Sequence, residues 1–350
     1  MLIKRLSEAR GISGQEAEVR SLIADEVRPF VDEMKVDNMG NLIVFKRAKN
    51  VPECERERPY KVMLSCHMDE VGLMVTSVDR NGLLKFATVG GIDPRVLPSK
   101  RVLVGGSKIR GVIGSKPIHL QEPEERTHPF TIRGMYIDVG ASSQEEAEKM
   151  VKVGDMATFY TEFEEIGSNC VKGKAFDDRM GCCAIIEVLK KGIEHNFDLC
   201  CVFGVQEEVG LRGAGPATYS IRPDAALVME CTAAHDLPDV DGPDCSTALG
   251  RGPAISHMDR TIMVRADMFK RLTQTADNLN IPWQHKYAVA GGTDAGKINQ
   301  SVGGVVTGVV SIPCRFIHSP VSVVNMSDYN NSVSLLEGFL YSIDEGRLTH

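Results

Sequence analysis

The spacing of apolar residues divides the chain into stretches of different period. Val19, Leu22, Ile23 and Val27 recur at helical intervals and form one stripe, with Pro29 as its stop. Ser13 and Glu16 stand ahead of the stripe at the separation of a capping box, so the helix is expected to begin there. Residues 41–46 read as a strand, 48–59 as a polar loop, and the apolar run at 61–66 as a buried strand. From 74 to 166 helical periodicity nearly vanishes. Gly90, Gly91, Gly105, Gly106, Gly111 and Gly114 punctuate short runs of Val and Ile, which predicts a small β-rich unit. Its one helical segment, 143–150, is headed by a second capping box, Ser143 with Glu146. Past 167 the signals alternate, with helices at 180–191 and 268–279 and strands at 199–205, 225–229 and 305–311. Alternation of this kind predicts an α/β fold, a mostly parallel sheet flanked by helices. The expected organisation is an α/β domain made of 1–73 and 167–350, interrupted by a β-rich inserted domain at 74–166.

Composition mainly excludes. The net charge of −7 argues against nucleic acid, because phosphate binding needs clustered Lys and Arg. No apolar stretch approaches the roughly 20 residues of a membrane span, and the N-terminus lacks an apolar signal core. No membrane association and a cytoplasmic location are therefore expected. Cysteines point the same way. Cys66, Cys182, Cys183, Cys200, Cys201 and Cys231 lie in apolar runs without a C-x-x-C pair, so they read as reduced, buried thiols.

Candidate chemistry collects where strands end. In an open parallel sheet, ligands bind beyond the carboxyl ends of the strands. Here 61–66 leads into His67-Met68-Asp69-Glu70, 199–205 into Gln206-Glu207-Glu208, and 225–229 into Glu230. The strand at 305–311 is followed shortly by His318-Ser319-Pro320, and Asp177 sits just before a helix. Singly, each has a plain alternative: Glu207-Glu208 as a solvated turn, or Asp177 and Asp178 as helix caps. Together they bring His, Asp and Glu from separate elements to one sheet edge. His67 and Asp69, two apart on extended chain, share a side, so His67 can ligate a metal while Asp69 holds its other ring nitrogen. Two metals about 3.5–4 Å apart need a bridging carboxylate, and Asp177 suits that role. His67 with Glu230 can complete one metal, Glu208 with His318 the other, leaving Glu207 as general base on a water.

Five motifs carry a resemblance. His67-Met68-Asp69-Glu70-Val71-Gly72, Phe176-Asp177-Asp178-Arg179, Gln206–Gly213, Gly291-Gly292-Thr293-Asp294-Ala295-Gly296 and His318-Ser319-Pro320 together resemble the tetrahedral aminopeptidases. These are zinc- or cobalt-dependent enzymes also called glutamyl or deblocking aminopeptidases, with some relatives labelled endoglucanases. The resemblance covers nearly the whole chain. It implies a phosphorylase/hydrolase-like metallopeptidase fold and two divalent metal ions, zinc or cobalt, per subunit. His67, Asp177, Glu208, Glu230 and His318 would be the ligands, and Asp69 and Glu207 the catalytic pair. It also implies peptide substrates with a free N-terminus and a homo-oligomer, the tetrahedral dodecamer of the family, with the insert making subunit contacts. Glu230 departs from the pattern: the family usually has Asp there, one methylene shorter.

Two other classes compete. A carbohydrate-active hydrolase fits the endoglucanase labels, but glycosidases ordinarily use a carboxylate pair without two metals. A non-catalytic accessory protein retaining the fold fits less well, because Asp69 and Glu207 are both present. The Gly291–Gly296 stretch is no phosphate loop, since no G-K-[ST] follows; it resembles the family's substrate-side loop, with Asp294 near a helix start readable as a cap alone. His119, His128, His235 and His257 lack a strand-end context and read as structural.

Overall fold

The computed structural model describes residues 1–240, 245–287, 289 and 291–348. Strands β1 (Glu33–Val36), β2 (Leu42–Lys46) and β3 (Lys61–His67) come first. Next are β4 (Gly72–Val78), β5 (Leu84–Val89), β6 (Arg101–Val104), β7 (Ile109–Gly114), β8 (Tyr136–Asp138) and β9 (Met156–Phe159). The remainder are β10 (Glu164–Ile166), β11 (Cys170–Gly173), β12 (Asp198–Gly204), β13 (Ala225–Ala233), β14 (Ala254–Ser256), β15 (Gln284–Lys286), β16 (Val306–Arg315) and β17 (Ser322–Asn325). The helices are α1 (Leu2–Glu8), α2 (Ala17–Val27), α3 (Gln144–Met150), α4 (Phe176–Lys190), α5 (Ala214–Ile221), α6 (Ala266–Asn278), α7 (Asp294–Asn299) and α8 (Met326–Glu345).

The large sheet runs β1-β2-β12-β3-β13-β16-β17-β11-β10, with β14 beside β16 and β15 beside β14. Its four middle strands, β12, β3, β13 and β16, are parallel. Antiparallel strands extend both edges. Every residue of β12 is buried, the signature of a strand covered on both faces. Helices supply that cover through apolar stripes such as Met268, Leu272 and Ala276 of α6. The six strands β4 to β9 close into an antiparallel barrel, which removes the open edges a separate small sheet would expose. The barrel has a core of its own, with Leu73, Val75, Leu84, Ile137 and Phe159 among its buried residues.

The chain departs from sequence expectation at several places. A helix, α1, precedes the one expected first and buries Ile3 and Leu6. The capping box at Ser13 does not form. α2 starts at Ala17 without a side-chain cap, and Ser13 Oγ instead donates to Asp69 Oδ2 at 2.6 Å. Glu16 Oε1 accepts from the Gly14 and Gln206 amides. A buried carboxylate outcompetes a helix end that solvent can satisfy. Ser143 does accept from the Glu146 amide, at 3.3 Å, while the Glu146 carboxylate turns to the Ser142 amide. β13 runs on to Ala233, so Glu230 lies inside the strand and not at its end. β16 likewise continues to Arg315. β10, within the stretch read as insert, pairs with β11 in the large sheet. The cysteines are free thiols, and Cys66, Cys182, Cys183, Cys200, Cys201 and Cys231 are buried.

Candidate metal centre

The parallel middle of the sheet delivers its carboxyl ends to one edge. His67 closes β3, directly opposite Gly204, the last residue of β12. Four residues past Gly204 the chain has turned through Gln206, whose φ of 57° is left-handed, and presents Glu207 and Glu208. Ala175, also left-handed at 55°, precedes a non-helical start to α4 in which the Asp177–Asp178 peptide is cis. His318 itself has a φ of 56°. Left-handed non-glycine residues cost of order 1–3 kcal/mol each and tend to gather at functional sites.

Asp177 stands between two imidazoles. Its Oδ1 is 3.5 Å from His67 Nε2, and its Oδ2 is 3.2 Å from His318 Nε2. His318 Nε2 is also 3.3 Å from Glu208 Oε2. His67, Asp177 and Glu208 each offer a ligand atom within 4.8 Å of the others. Glu207 Oε2 lies 4.0 Å from His67 Nε2. Glu230 opens onto the same cavity, but its Oε1 accepts from the Asp294 amide at 3.2 Å.

Asp69 lies behind this group, fully buried. Its Oδ1 is 3.5 Å from His67 Nδ1, which is nearer the Asp69 carbonyl oxygen at 3.1 Å. Asp69 also accepts from the amides of Glu207 and Glu208 and from Ser13 Oγ. One carboxylate thus braces three positions of the site. Asp178 does similar work: Oδ1 caps α4 through the Gly181 amide, and Oδ2 holds the His67 amide. Beneath them Glu70 takes both carboxylate oxygens to Lys174 Nζ, at 2.7 and 2.8 Å, and Arg179 reaches it at 3.3 Å. Arg179 further donates to the carbonyls of Met68, Leu6, Ala9 and Gly11, tying the N-terminal segment to the site.

The charges are heavily perturbed. Burial pushes the Glu207 and Glu230 carboxyls well above their ordinary value, with neighbouring carboxylates adding to it. Burial lifts Glu208 to about 7, although His318 opposes it. Burial would also raise Asp177, yet His318 and His67 outweigh it and hold that carboxyl low. Both histidines are raised against the effect of burial, His318 to about 9, by the carboxylates they face. Asp177 Oδ1 and Glu208 Oε1 are buried without a hydrogen-bond partner. Crowded carboxylates with bare oxygens facing imidazoles fit around a cation, and the donor set of nitrogen and oxygen suits a zinc-like ion.

Sequence reasoning did not assign the braces Ser13 and Asp178, nor Asp294, which is buried with Oδ1 unpartnered and raised by burial to about 7. Its position in the Gly291–Gly296 motif was a usable signal, since a cap needs no burial.

A closed antiparallel barrel inserted in an α/β layer, with a His–carboxylate cluster at the sheet's carboxyl edge, makes a fold with a candidate metal centre. The family model for M42 glutamyl aminopeptidase matches residues 40–335, and the chain belongs to this family of metal-dependent aminopeptidases. The lysyl aminopeptidase of Pyrococcus furiosus is 33% identical over 97% of this chain and 96% of its own. The glutamyl aminopeptidase of Lactococcus lactis is 30% identical over 98% and 96%. Among solved structures, the TET aminopeptidase of a marine-sediment Thaumarchaeota archaeon superposes with a TM-score of 0.93 at 36% identity, covering 98% and 96% of the two chains. The TET1 peptidase of Pyrococcus horikoshii, 32% identical with a TM-score of 0.84 over 97% and 98%, is described as assembling into a tetrahedron or a large octahedral shell. Among the described residues, no helix is long and apolar enough to cross a membrane.

Proposed function

We propose that this chain removes N-terminal residues from peptides using two divalent ions, zinc or cobalt, bridged by Asp177. The observation that carries the reading is Asp177 itself, with one oxygen toward each of two histidines and its Oδ1 buried and unpartnered. His67 and Glu230 would hold one ion, Glu208 and His318 the other. When bound, the ions polarise the scissile carbonyl and the attacking water.

The chain's own groups do the rest. Glu207 accepts a proton from the water as the new C–O bond forms, and returns it to the leaving amine as the C–N bond breaks. Burial raises the Glu207 carboxyl above its ordinary value, and a carboxylate with a raised pKa is a stronger base toward the water's proton. Asp69 acts by positioning: it orients His67 and fixes the Glu207 and Glu208 amides. Glu230 in place of Asp reaches farther by one methylene, and the Asp294 amide takes one of its oxygens.

The barrel would join subunits of a homo-oligomer, with a tetrahedral dodecamer as the assembly to test. Val112, Ile118 and Leu120 are exposed on or beside it. Chelation followed by metal return, assayed with a free-amine peptide, its N-acetylated form and a cellulose oligomer, tests the chemistry. Chelator-sensitive release from the free-amine peptide alone is expected. Cleavage of the cellulose oligomer would instead favour the carbohydrate reading.

A further inference from the structure

The loop that leads through Gly291 into α7 is held by a buried carboxylate outside the metal centre. Asp259, 5% exposed, heads a tight turn in which its amide donates to the Ile262 carbonyl oxygen. Its Oδ1 accepts from the Thr261 and Ile262 amides and from Thr261 Oγ1. Its Oδ2 accepts from Thr293 Oγ1 at 3.0 Å, across 34 residues of chain. The Thr293 amide donates to Thr261 Oγ1 at 3.2 Å, and the Arg260 amide to the Gly291 carbonyl oxygen at 3.0 Å. A Cβ on Gly292 or Gly296 would collide with Thr261, so turn and loop lie in direct contact.

Thr293 shows where this clasp leads. It stands at the N-cap of α7, where a threonine hydroxyl ordinarily accepts from an amide of the first turn, yet no such side-chain bond forms. The hydroxyl goes to Asp259 instead. The first amide of the helix, that of Asp294, donates to Glu230 Oε1 at 3.2 Å. Gly291, Gly292 and Thr293 also line the cavity of about 260 Å³ that His67, Asp177, Glu207 and Glu230 line. The path from Asp259 through Thr293 and the Asp294 amide thus ends on one oxygen of a carboxylate at the candidate metal centre. Glu230 gains from such a hold, because a Glu side chain has one more rotatable bond than Asp and loses more freedom when it is fixed.

Building on the two-ion reading, we propose that Asp259 is a positioning residue for the metal centre. Through Thr293 it holds the start of α7, so that the Asp294 amide fixes Glu230 for the ion it would share with His67. Asp259 itself touches neither ion nor substrate. With the clasp open, the Asp294 amide loses its fixed place beside Oε1, and Glu230 regains its rotamers. The ion that Glu230 would hold then binds more weakly. The ion assigned to Glu208 and His318 is affected much less. A clasp that served the fold alone would change stability and leave both affinities as they were.

The test is calorimetric titration of the metal-free full chain with zinc or cobalt ions. Thr293→Val keeps the shape and removes the hydroxyl, whereas Thr293→Ser keeps the hydroxyl. Thr293→Val is expected to weaken one of the two ions by about tenfold, the low end for groups that orient a metal ligand. Thr293→Ser should bind both ions as the parent does. Turnover of a free-amine peptide should fall in Thr293→Val at limiting metal and recover in excess, a response that lost stability alone does not give. Asp259→Ala should weaken the same ion, and adding Thr293→Val to it should weaken that ion no further, since both changes break one bond. Thr293→Ala carries the same comparison should Thr293→Val fail to fold. Parent-like affinity for both ions without the hydroxyl, an equal loss for both, or Thr293→Ser as weak as Thr293→Val overturns the inference while the aminopeptidase reading stands. A parent chain that takes up fewer than two ions overturns the two-ion reading and the inference with it.

Discussion

The carboxyl edge of the large sheet and the barrel are opposite solutions to where polarity goes. At the sheet edge charged groups point inward: Asp69, Glu230 and Asp294 are almost wholly buried, and His67 is 2% exposed. In the barrel the inside is apolar and the charge faces water, where Arg101 and Arg110 lie against the Tyr160 ring and Lys149 pairs with Glu145. The barrel also leaves Ile118 68% exposed and Leu120 59% exposed beside it. One region stores electrostatic cost that a ligand must relieve. The other keeps a conventional core and spare apolar surface. The difference teaches that damage to the first should be read in metal and turnover, and damage to the second in assembly.

The sharpest break of that comparison is Asp177→Ala. A bridging carboxylate serves both ions and offsets their repulsion, so both should be lost, with activity down by about 10³-fold or more. His67→Ala should be milder in metal content, because in the proposed scheme it would hold one ion. Metal analysis of the purified variants decides it: two ions per chain in Asp177→Ala would remove the bridge from the scheme.

Next in size is the pair of adjacent glutamates. Glu207→Gln keeps the shape and removes the basic oxygen, so both metals should remain while turnover falls by about 10²–10⁴-fold. Glu208→Gln should instead weaken metal binding and recover partly in excess metal. The reverse pattern in metal content would exchange their roles. A smaller effect is expected one layer out. Ser13→Ala leaves Asp69 with one fewer donor, and such partners are typically worth about 10–100-fold in metal affinity. A Ser13→Ala protein that binds metal as well as the parent would reduce Ser13 to a packing role.

The barrel side of the comparison has its own test. A charge at Val112, which is 46% exposed, should dissociate subunits without touching the metal edge. Val112→Asp is expected to run smaller in sizing columns while retaining its metals. Loss of metals with the assembly would mean that the two regions are not separable.

Much of this division was legible in the sequence. Strand ends followed by His67, Glu207-Glu208 and His318 were visible because a buried strand is a continuous apolar run with an abrupt polar stop. The β-rich character of the stretch that became the barrel showed in its glycine punctuation. What escaped was set by long-range contacts. Ser13 looks like a cap until Asp69, 56 residues on, is folded against it. Glu230 looked like a strand end because it is the first charged residue after the apolar run, yet β16 pairs with the residues beyond it and carries the strand to Ala233. The antiparallel edges of the large sheet depend on short strands, Glu164–Ile166 and Cys170–Gly173, that have too few residues for any period to show. Asp294 was hidden because what surrounds it is distant in sequence: its amide meets Glu230 of β13, and α7 packs on α5 and β16.

The smallest expected effect, and the most general, is in the stability of metal-free protein against pH. Glu208 is lifted to about 7 and Asp294 to about 7, both chiefly by burial, and Glu207 and Glu230 are raised in the same direction. His318 is held up at about 9 because Asp177 and Glu208 outweigh its burial. Each of these groups binds its proton more tightly folded than unfolded, so stability must fall as pH rises through the interval between the two values. For the carboxyls that interval runs from their ordinary range near 4–4.5 upward to about 7. For His318 it runs from 6.5 to about 9. Asp177 has the opposite sign, but its carboxyl is held low, so its contribution is lost only in acid. The metal-free chain should therefore melt a few degrees lower at pH 8 than at pH 5.5. Bound metal should erase the trend, because ions favour the deprotonated ligands and bind more tightly as pH rises. Barrel carboxylates such as Glu125 and Glu146 are exposed and shifted downward by their partners, so they contribute nothing in this interval. Thermal unfolding in chelator across that pH range, repeated with metal restored, makes the measurement. A metal-free protein whose melting temperature rises toward pH 8 would show that the carboxylates at the sheet edge do not share one buried pocket.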